Sequence, residues 1–479
     1  MSEKITIEPV TRIAGHGKIS IFLDDRQQVE DAKFHVTEYR GFEKFCEGRP
    51  LAKMAGVIGH VCGICPVSHI LSTAKAIEKI QGITIPDPAK KLRRLLNLAQ
   101  IIQSHSLSFF YLCSPDLLLG WDTPPENRNL FNVIKSDHRD LAVGGIKLRQ
   151  LGQEITELVA GRKVNPPGII PGGIKSPLSR ENRDKIGDRI PESLNYAQKT
   201  LDTFKSLLDS HSKEVNIFGN FPSLFMGLLG EDDTWEHYEG KIRVIDTQGN
   251  IIVDSFSEDN YQDFIGETVE PGTYLKFPYY KPQGYPEGNY RVGPLARLNL
   301  CEKIGTPRAD RELLEYRDRA GTRYVTSSFY FHYARLIEIV ACLEKIQKLL
   351  EDPEIISENT RIKVAKGKID RLNAVGVSEA PRGILFHDYQ TDAESKVKKL
   401  NLLIATGQNV LSMNKTIAQI AREYIDGPEI PETILNRIEA GIRIFDPCLG
   451  CSTHAMGQMP LHVRLCDRNG KIVKEIWRD

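Results

Sequence analysis

Two Cys-x-x-Cys pairs sit near opposite ends of this 479-residue chain: Cys62-Gly63-Ile64-Cys65 and Cys448-Leu449-Gly450-Cys451. Each is followed by a histidine, His69 and His454. The spacing inside each pair lets two thiolates reach one metal ion. A site shared by both pairs exists only once the intervening chain has folded, so the pattern demands one compact unit despite the length. Four soft sulfur donors favour zinc, nickel, copper(I) or iron over magnesium or calcium. A closed structural zinc is the plainest alternative, but zinc ribbons keep their halves close in sequence. A cysteine-ligated iron–sulfur cluster is another. Neither accounts for the flanking histidines or for Asp446-Pro447 just ahead of Cys448.

Composition removes several other classes. Lysine plus arginine and aspartate plus glutamate both total 63, so there is no net basic field and no nucleic-acid partner is expected. Nine cysteines, an odd number with four in metal-like pairs, argue for a reducing compartment rather than a disulfide scaffold. Met1-Ser2-Glu3-Lys4 lacks the basic and apolar regions of a signal peptide, so a cytoplasmic location is expected. Met54 to Ala74 carries no Asp, Glu, Lys or Arg and is long enough to span a bilayer. Its His60, Pro66, His69 and two thiols suit a buried site better than lipid, and no transmembrane segment is expected.

The patterning predicts an α+β chain that is predominantly helical. Ile5 to Ile7, Lys18 to Leu23 and Ala32 to Val36 read as strands, the last two joined through Asp24 to Gln27. Helical periodicity begins near Leu51 and resumes after Pro66, with Ile70, Leu71, Ala74 and Ile77 on one face. Pro86 and Pro88 interrupt it before a longer helix that leads into Phe109-Phe110-Tyr111. Further helices are expected near 141–162, 181–213, 327–351 and 412–424. Lys241 to Asp254 reads as a strand pair, and Val463 to Ile476 as a hairpin turning at Asn469-Gly470. Residues 270–300, rich in Gly, Pro and Tyr, are expected to be irregular and surface- or partner-facing.

The chain resembles the large subunit of nickel–iron hydrogenases, most closely the bidirectional NAD-linked type found in bacteria including cyanobacteria. The resemblance is carried by Pro9-Val10-Thr11-Arg12-Ile13 with Gly15-His16, by Arg40 to Pro50, and by Cys62 to His69. Gly293 to Asn299, Glu379 to Gly383 and Asp446 to His454 extend it over nearly the whole chain. It implies a central helical bundle with small N-terminal and peripheral β-sheets. Residues 1–454 then form a single domain, with a β region over about 1–40 and a β insertion over about 240–300. Residues 455–479 are an extension that a maturation endopeptidase removes after His454, once nickel-insertion proteins have acted. On this account the tail keeps Cys448 and Cys451 accessible until the metal arrives.

The same resemblance implies the site. Cys62 and Cys448 are the expected terminal nickel ligands. Cys65 and Cys451 are expected to bridge nickel to an iron carrying carbon monoxide and two cyanides, where dihydrogen is cleaved heterolytically. His69 is expected to donate to a bridging sulfur. Arg382 matches an arginine held above the metals, with Asp446 as its buried acidic partner. Glu43 and His454 match the ligands of a structural magnesium; from its local sequence alone Glu43 reads as an exposed helix residue. The chain has neither a second cysteine set nor a Gly-x-Gly-x-x-Gly fingerprint. Electrons are therefore expected to leave through a small iron–sulfur subunit, then through a diaphorase module holding FMN and NAD.

Two positions depart from the family pattern. Ala14 stands in Arg12-Ile13-Ala14-Gly15-His16 where members carry glutamate, the proposed first proton acceptor. His60 stands before Val61-Cys62 where arginine is usual, which exchanges a fixed charge for a group that titrates near neutrality. Ala14 keeps open a proton-transfer-impaired or hydrogen-sensing member of the family. A scaffold without redox chemistry, like the related complex I subunit, is disfavoured because all four cysteines are present.

Overall fold

The computed structural model describes residues 4–365, 367–427, 430–455, 461–468 and 470–478. Strands β1 (Lys4–Ile7), β2 (Gly17–Leu23) and β3 (Val29–Val36) form the expected antiparallel meander. Asp24 closes its hairpin, its Oδ1 accepting from the N–H groups of Arg26 and Gln28 at 2.8 Å.

The helical part is built on α1 (Pro66–Ile80), α2 (Asp87–Ser106), α3 (Arg139–Ala160) and α4 (Arg180–Ser210). Both α1 and α2 carry proline in their first turn, where a missing N–H costs nothing. From Leu95 to Ser106, α2 is buried on every side, which marks a core helix rather than a surface one. It continues into a π-helical segment, Leu107–Cys113, whose Phe109 and Phe110 rings meet edge to face at 5.1 Å.

Strands β4 (Leu224–Leu229), β5 (Lys241–Ile245) and β6 (Ile251–Phe256) follow, then the ribbon β7 (Ile265–Val269) and β8 (Lys276–Tyr280). The short β9 (Tyr290–Arg291) pairs in parallel with β4, giving the sheet order β9-β4-β5-β6. Helix α5 (Pro294–Leu300) comes next, buried along its whole length. The 270–300 segment is therefore exposed and irregular mainly around 281–287, while β8, β9 and α5 are largely buried. Its glycines and prolines mark turns between buried elements, a distinction composition alone does not carry.

Helix α6 (Phe331–Glu351) completes a four-helix bundle with α2, α3 and α4. A three-stranded antiparallel sheet then forms from β10 (Asn373–Ala380), β11 (Gly383–Thr391) and β12 (Val397–Leu403). Helix α1 lies directly on β10. A Cβ at Gly376 would fall 1.8 Å from the Ser72 carbonyl oxygen, so only glycine allows this approach. Helix α7 (Val410–Tyr424) packs on β3, and α8 (Glu432–Arg443) packs on α7. The chain ends in the hairpin β13 (Leu461–Cys466) and β14 (Ile472–Arg478); Gly470 in its turn has φ 82°, while Asn469 lies outside the described residues. Among the described residues no helix is long and apolar enough to cross a membrane.

Buried apolar residues divide into two clusters, one filling the helical bundle and N-terminal sheet, the other surrounding the cysteines and the two larger peripheral sheets. The four cysteines belong to the second.

Candidate metal centre

Cys62 is extended and Cys65 stands at the N-cap of α1, so the first pair sits at the N-terminal end of a long helix. The N–H groups of Ile64 and Cys65 both donate to Cys62 Sγ, at 3.2 and 3.1 Å. Across from them lie Cys448 and Cys451, on the short turn Leu449–Ser452. The sulfurs are 3.3 Å apart for Cys62 and Cys448, 3.7 Å for Cys65 and Cys451, and 2.8 Å for Cys448 and Cys451. All four fall within 4.8 Å of one another, are buried, and form no disulfide. Among the described residues this is the only His/Cys/Asp/Glu cluster with metal-ligand geometry.

The protons on these sulfurs are shared unequally. Burial opposes ionisation of Cys62, but hydrogen bonds from the neighbouring cysteines and the charge of Arg382 outweigh it, pushing Cys62 well below an ordinary thiol. Cys448 is lowered mainly by the Cys451 thiol. Cys65 is raised chiefly through its bond with Cys448, and Cys451 by burial. So many soft donors in so small a volume, beside a fixed cation, fit a thiophilic metal centre.

Arg382 is that cation. Its Nη2 donates to Asp446 Oδ1 at 3.0 Å, its Nε to the Asp446 carbonyl, and its Nη1 to Ser104 Oγ at 3.3 Å. Burial penalises its charge, yet Asp446 and the thiolates of Cys448, Cys65 and Cys62 hold it firmly protonated. The pairing expected from the sequence is formed, with both side chains buried.

His69 differs from expectation. Its Nδ1 meets His387 Nε2 at 3.2 Å, and a chain continues through Thr73 to Tyr389. Its Nε2 is buried with no hydrogen-bond partner among the described residues, so the expected bond to a bridging sulfur is not made. Burial holds its pKa down at about 4, making it neutral. His387, Thr73 and Tyr389 carry no motif signal; only the packing of α1 on the 373–403 sheet brings them here.

Glu43 is mostly buried rather than exposed, because Phe42–Cys46 is a short helix pressed against the β12 strand. Glu43 Oε1 lies 2.8 Å from His454 Nδ1 and accepts from the Leu402 N–H at 2.8 Å. Lys276 Nζ is 3.5 Å from Glu43 Oε1 and 3.6 Å from Glu267 Oε1. That Glu267 oxygen is buried without a hydrogen-bond partner among the described residues. Lys276 ion-pairs with both half-buried carboxylates, and Glu267 Oε2 also accepts from Asn401 Nδ2 at 2.9 Å. Glu267 and Lys276 have no sequence signal for this place.

Ala14 pairs in parallel with Cys448, and the Leu449 N–H donates to the Ala14 carbonyl at 2.8 Å. Position 14 therefore does stand beside the cysteine, as the motif implies. His60 does not face the site: it is exposed, with Nδ1 2.9 Å from the Gly56 carbonyl. The cation on this loop is Arg40, which donates to the carbonyls of Val61 and His60 at 2.7 and 3.0 Å.

The segments 40–119 and 231–454 match the family model for nickel-dependent hydrogenases, and 4–39 match a HoxL-like model. The chain belongs to the nickel-dependent hydrogenases. It is 39% identical to the NAD-reducing hydrogenase HoxS subunit beta of Cupriavidus necator, over 99% of both chains. It is 38% identical to an F420-non-reducing hydrogenase chain of Methanothermobacter thermautotrophicus, over 99% of this chain and 100% of that one. A crystal structure of an NAD+-reducing [NiFe]-hydrogenase in the H2-reduced state superposes with a TM-score of 0.90 at 38% identity, covering 94% of this chain and 99% of that one. The Ni-Fe-Se hydrogenase of D. vulgaris Hildenborough, at 23% identity and a TM-score of 0.76, shares the fold. This hydrogenase chain accordingly uses a nickel–iron centre, and the four-cysteine cluster is the place in it with the donors to hold one.

Proposed function

We propose that this chain is the hydrogen-splitting subunit of a bidirectional, NAD-linked hydrogenase of the cytoplasm. What carries the reading is the buried set of four cysteine sulfurs in a chain similar over its full length to an NAD-reducing hydrogenase subunit. Cys62, Cys65, Cys448 and Cys451 would hold the nickel–iron pair, with Cys62 and Cys448 on nickel alone and Cys65 and Cys451 shared with the iron, whose other ligands would be carbon monoxide and two cyanides. When bound, the pair supplies the heterolytic cleavage of dihydrogen.

The chain's own groups set the conditions for that chemistry. Cys62 and Cys448, the two sulfurs already driven toward thiolate, are the readiest to ligate a metal. Arg382, fixed by Asp446, closes the site with positive charge and keeps water from the sulfurs. His69, neutral and supported by His387, offers one unpartnered nitrogen toward the centre. Glu43 and His454, with Glu267 nearby, hold magnesium beside the C-terminal motif.

Electrons leave through a small iron–sulfur subunit, then through flavin- and NAD-binding diaphorase subunits, since the described residues hold one cysteine cluster and the sequence carries no dinucleotide fingerprint. Residues 1–454 are the working domain, and 455–479 are removed by the maturation endopeptidase after nickel-insertion proteins act. His454 and Ala455 are buried with the tail attached, and so are Cys448 and Cys451. On this reading the chain around 454 has to loosen before cleavage.

Ala14 supports a second reading, a member impaired in proton transfer or adapted to hydrogen sensing. Metal quantification with infrared spectroscopy of the purified complex tests the first reading. Stoichiometric nickel and iron with carbonyl and cyanide bands, and hydrogen-dependent NAD reduction, are expected. Zinc alone refutes it, and full metal loading without turnover favours the second reading.

A further inference from the structure

Arg297 lies on α5, is 1% exposed, and belongs to a sequence motif whose residues otherwise have no assigned task. Its guanidinium uses all five of its N–H donors. Nε and Nη2 fork onto Glu338 Oε1 and Oε2, each at 2.6 Å. Nη1 donates to Glu379 Oε2 at 2.6 Å and to the Ala380 carbonyl at 3.0 Å, and Nη2 also reaches the Pro381 carbonyl at 3.2 Å. Ala380 and Pro381 are the two residues that lead into Arg382.

Glu338 is itself immobilised, accepting from Trp235 Nε1 at 2.8 Å and meeting His105 Nε2 at 2.7 Å. Against the other side of the same turn lies Gly293, at φ 97°. A Cβ there would sit 2.5 Å from the Arg382 carbonyl oxygen. The backbone of Arg382 is thus gripped on one side by the Arg297 fork and seated on the other against bare Cα. Neutralising Glu338 and Glu379 requires only a buried cation. Directing two further N–H groups onto the carbonyls before Arg382 does something more.

We propose that Arg297 is a positioning residue for the hydrogenase reaction, fixing the Ala380–Pro381 turn and through it the height of the Arg382 guanidinium over the four cysteine sulfurs. Lysine keeps the charge but cannot make five bonds in a planar fork. The inference rests on the reading of Arg382 as the lid of a nickel–iron centre. If the unsubstituted complex shows no carbonyl or cyanide bands, that reading fails first and independently of Arg297.

The test is a double-variant cycle in the intact complex with Arg297→Lys, Arg382→Lys and both. Nickel content, infrared band positions and kcat are measured for each. Misplacing a reacting group by about 1 Å costs up to about a hundredfold in rate. Arg297→Lys is therefore expected to retain nickel, to shift the carbonyl band in the same direction as Arg382→Lys, and to lower kcat by at least about tenfold. In the Arg382→Lys background it is expected to add less than about twofold, because the two act as a unit. Losses that multiply, or band positions that do not move, overturn the proposal. Gly293→Ala displaces the Arg382 carbonyl without removing a buried charge, so it repeats the cycle if Arg297→Lys fails to fold. A Gly293→Ala complex with unshifted bands and full kcat also overturns it, as does failure of both variants to fold, which reduces Arg297 to a structural ion pair.

Discussion

Replacing Ala14 by glutamate tests how this chain handles the proton. The structure leaves little freedom in where the new side chain starts: Ala14 is bridged to Cys448, and its carbonyl takes the Leu449 N–H at 2.8 Å. The next residue is equally confined, since a Cβ on Gly15 would fall 2.6 Å from Leu449 Cβ and 2.3 Å from Glu38 Oε1. A glutamate at 14 is therefore delivered beside the cysteine rather than swung away from it. Ala14 is only partly buried, so the added carboxylate stays in reach of water and its desolvation cost is small. A positioned general acid–base group contributes about 10²–10⁴ in rate, or roughly 3–5 kcal/mol of barrier. The Glu38 carboxylate, against Gly15 and 3.5 Å from His16, is the neighbouring carboxylate that would supply part of it. The expected gain for Ala14→Glu is thus at least roughly tenfold in both directions, below the full acid–base factor. Proteins matched for nickel are assayed with an artificial electron acceptor, under conditions where a solvent isotope effect shows that proton transfer limits turnover. Equal rates there refute the argument. Glu38→Gln separates the routes: it is expected to cost more in the parent chain than in the Ala14→Glu variant.

Cys62→Ser and Cys448→Ser are each expected to abolish nickel retention while leaving a soluble chain, as metal analysis of purified material will show. The active subunit is expected to end at His454, and an intact mass that still includes Asp479 refutes removal of the tail. Asp116 is buried with Arg12 Nη2 2.5 Å from its Oδ1 and Arg443 Nη2 3.1 Å from its Oδ2. Burial disfavours its charge, but the two arginines outweigh burial and hold its pKa below the ordinary 3.8. A depressed carboxylate contributes stability that is complete above its unfolded pKa and lost as pH falls through the folded one. Asp116→Asn is therefore expected to be less stable at neutral pH by about 3–5 kcal/mol. It should also lose less stability than the parent as pH falls below about 4, measured by denaturant titration.

The site was legible wherever one residue type in one short motif determines the chemistry. The cysteine pairs, Arg382 with Asp446, and the meeting of Glu43 with His454 all appear in the fold as the motifs imply. The parts that were not legible depend on partners distant in sequence. The 373–403 sheet has almost no exposed face on β10, so it lacks the alternation that marks a strand, and no strand is read there from the sequence. The segment 270–300 reads as surface because glycine and proline mark turns equally inside and outside a protein. His60 shows the converse error. Its place beside Cys62 in the sequence suggests a role in the site, yet the backbone turns it to solvent, and Arg40, about 20 positions earlier, binds the carbonyls of His60 and Val61 there.

The chain keeps many buried charges around a site that needs only four sulfurs. Arg12 and Asp446 both adopt left-handed backbone conformations, at φ 54°, each two residues ahead of a partner in the Ala14–Cys448 bridge. Such conformations are costly for residues with a Cβ and persist only where surroundings over-determine them. Arg12 is held by Asp116, by Asn436 Oδ1 at 3.2 Å and by the Leu112 carbonyl at 2.8 Å. Arg443, three residues before Asp446, binds the same Asp116 and also Glu439 at 2.8 Å. Asp446 is fixed in turn by Arg382, whose turn is gripped by Arg297. Two remote strands of chain are thereby forced into register by ion pairs rather than by a sheet, which a two-residue bridge is too short to specify. Replacing such pairs by apolar residues often costs nothing in stability. Their use here is geometric: they set the cysteine pairs at metal-ligand distance before any metal bond contributes.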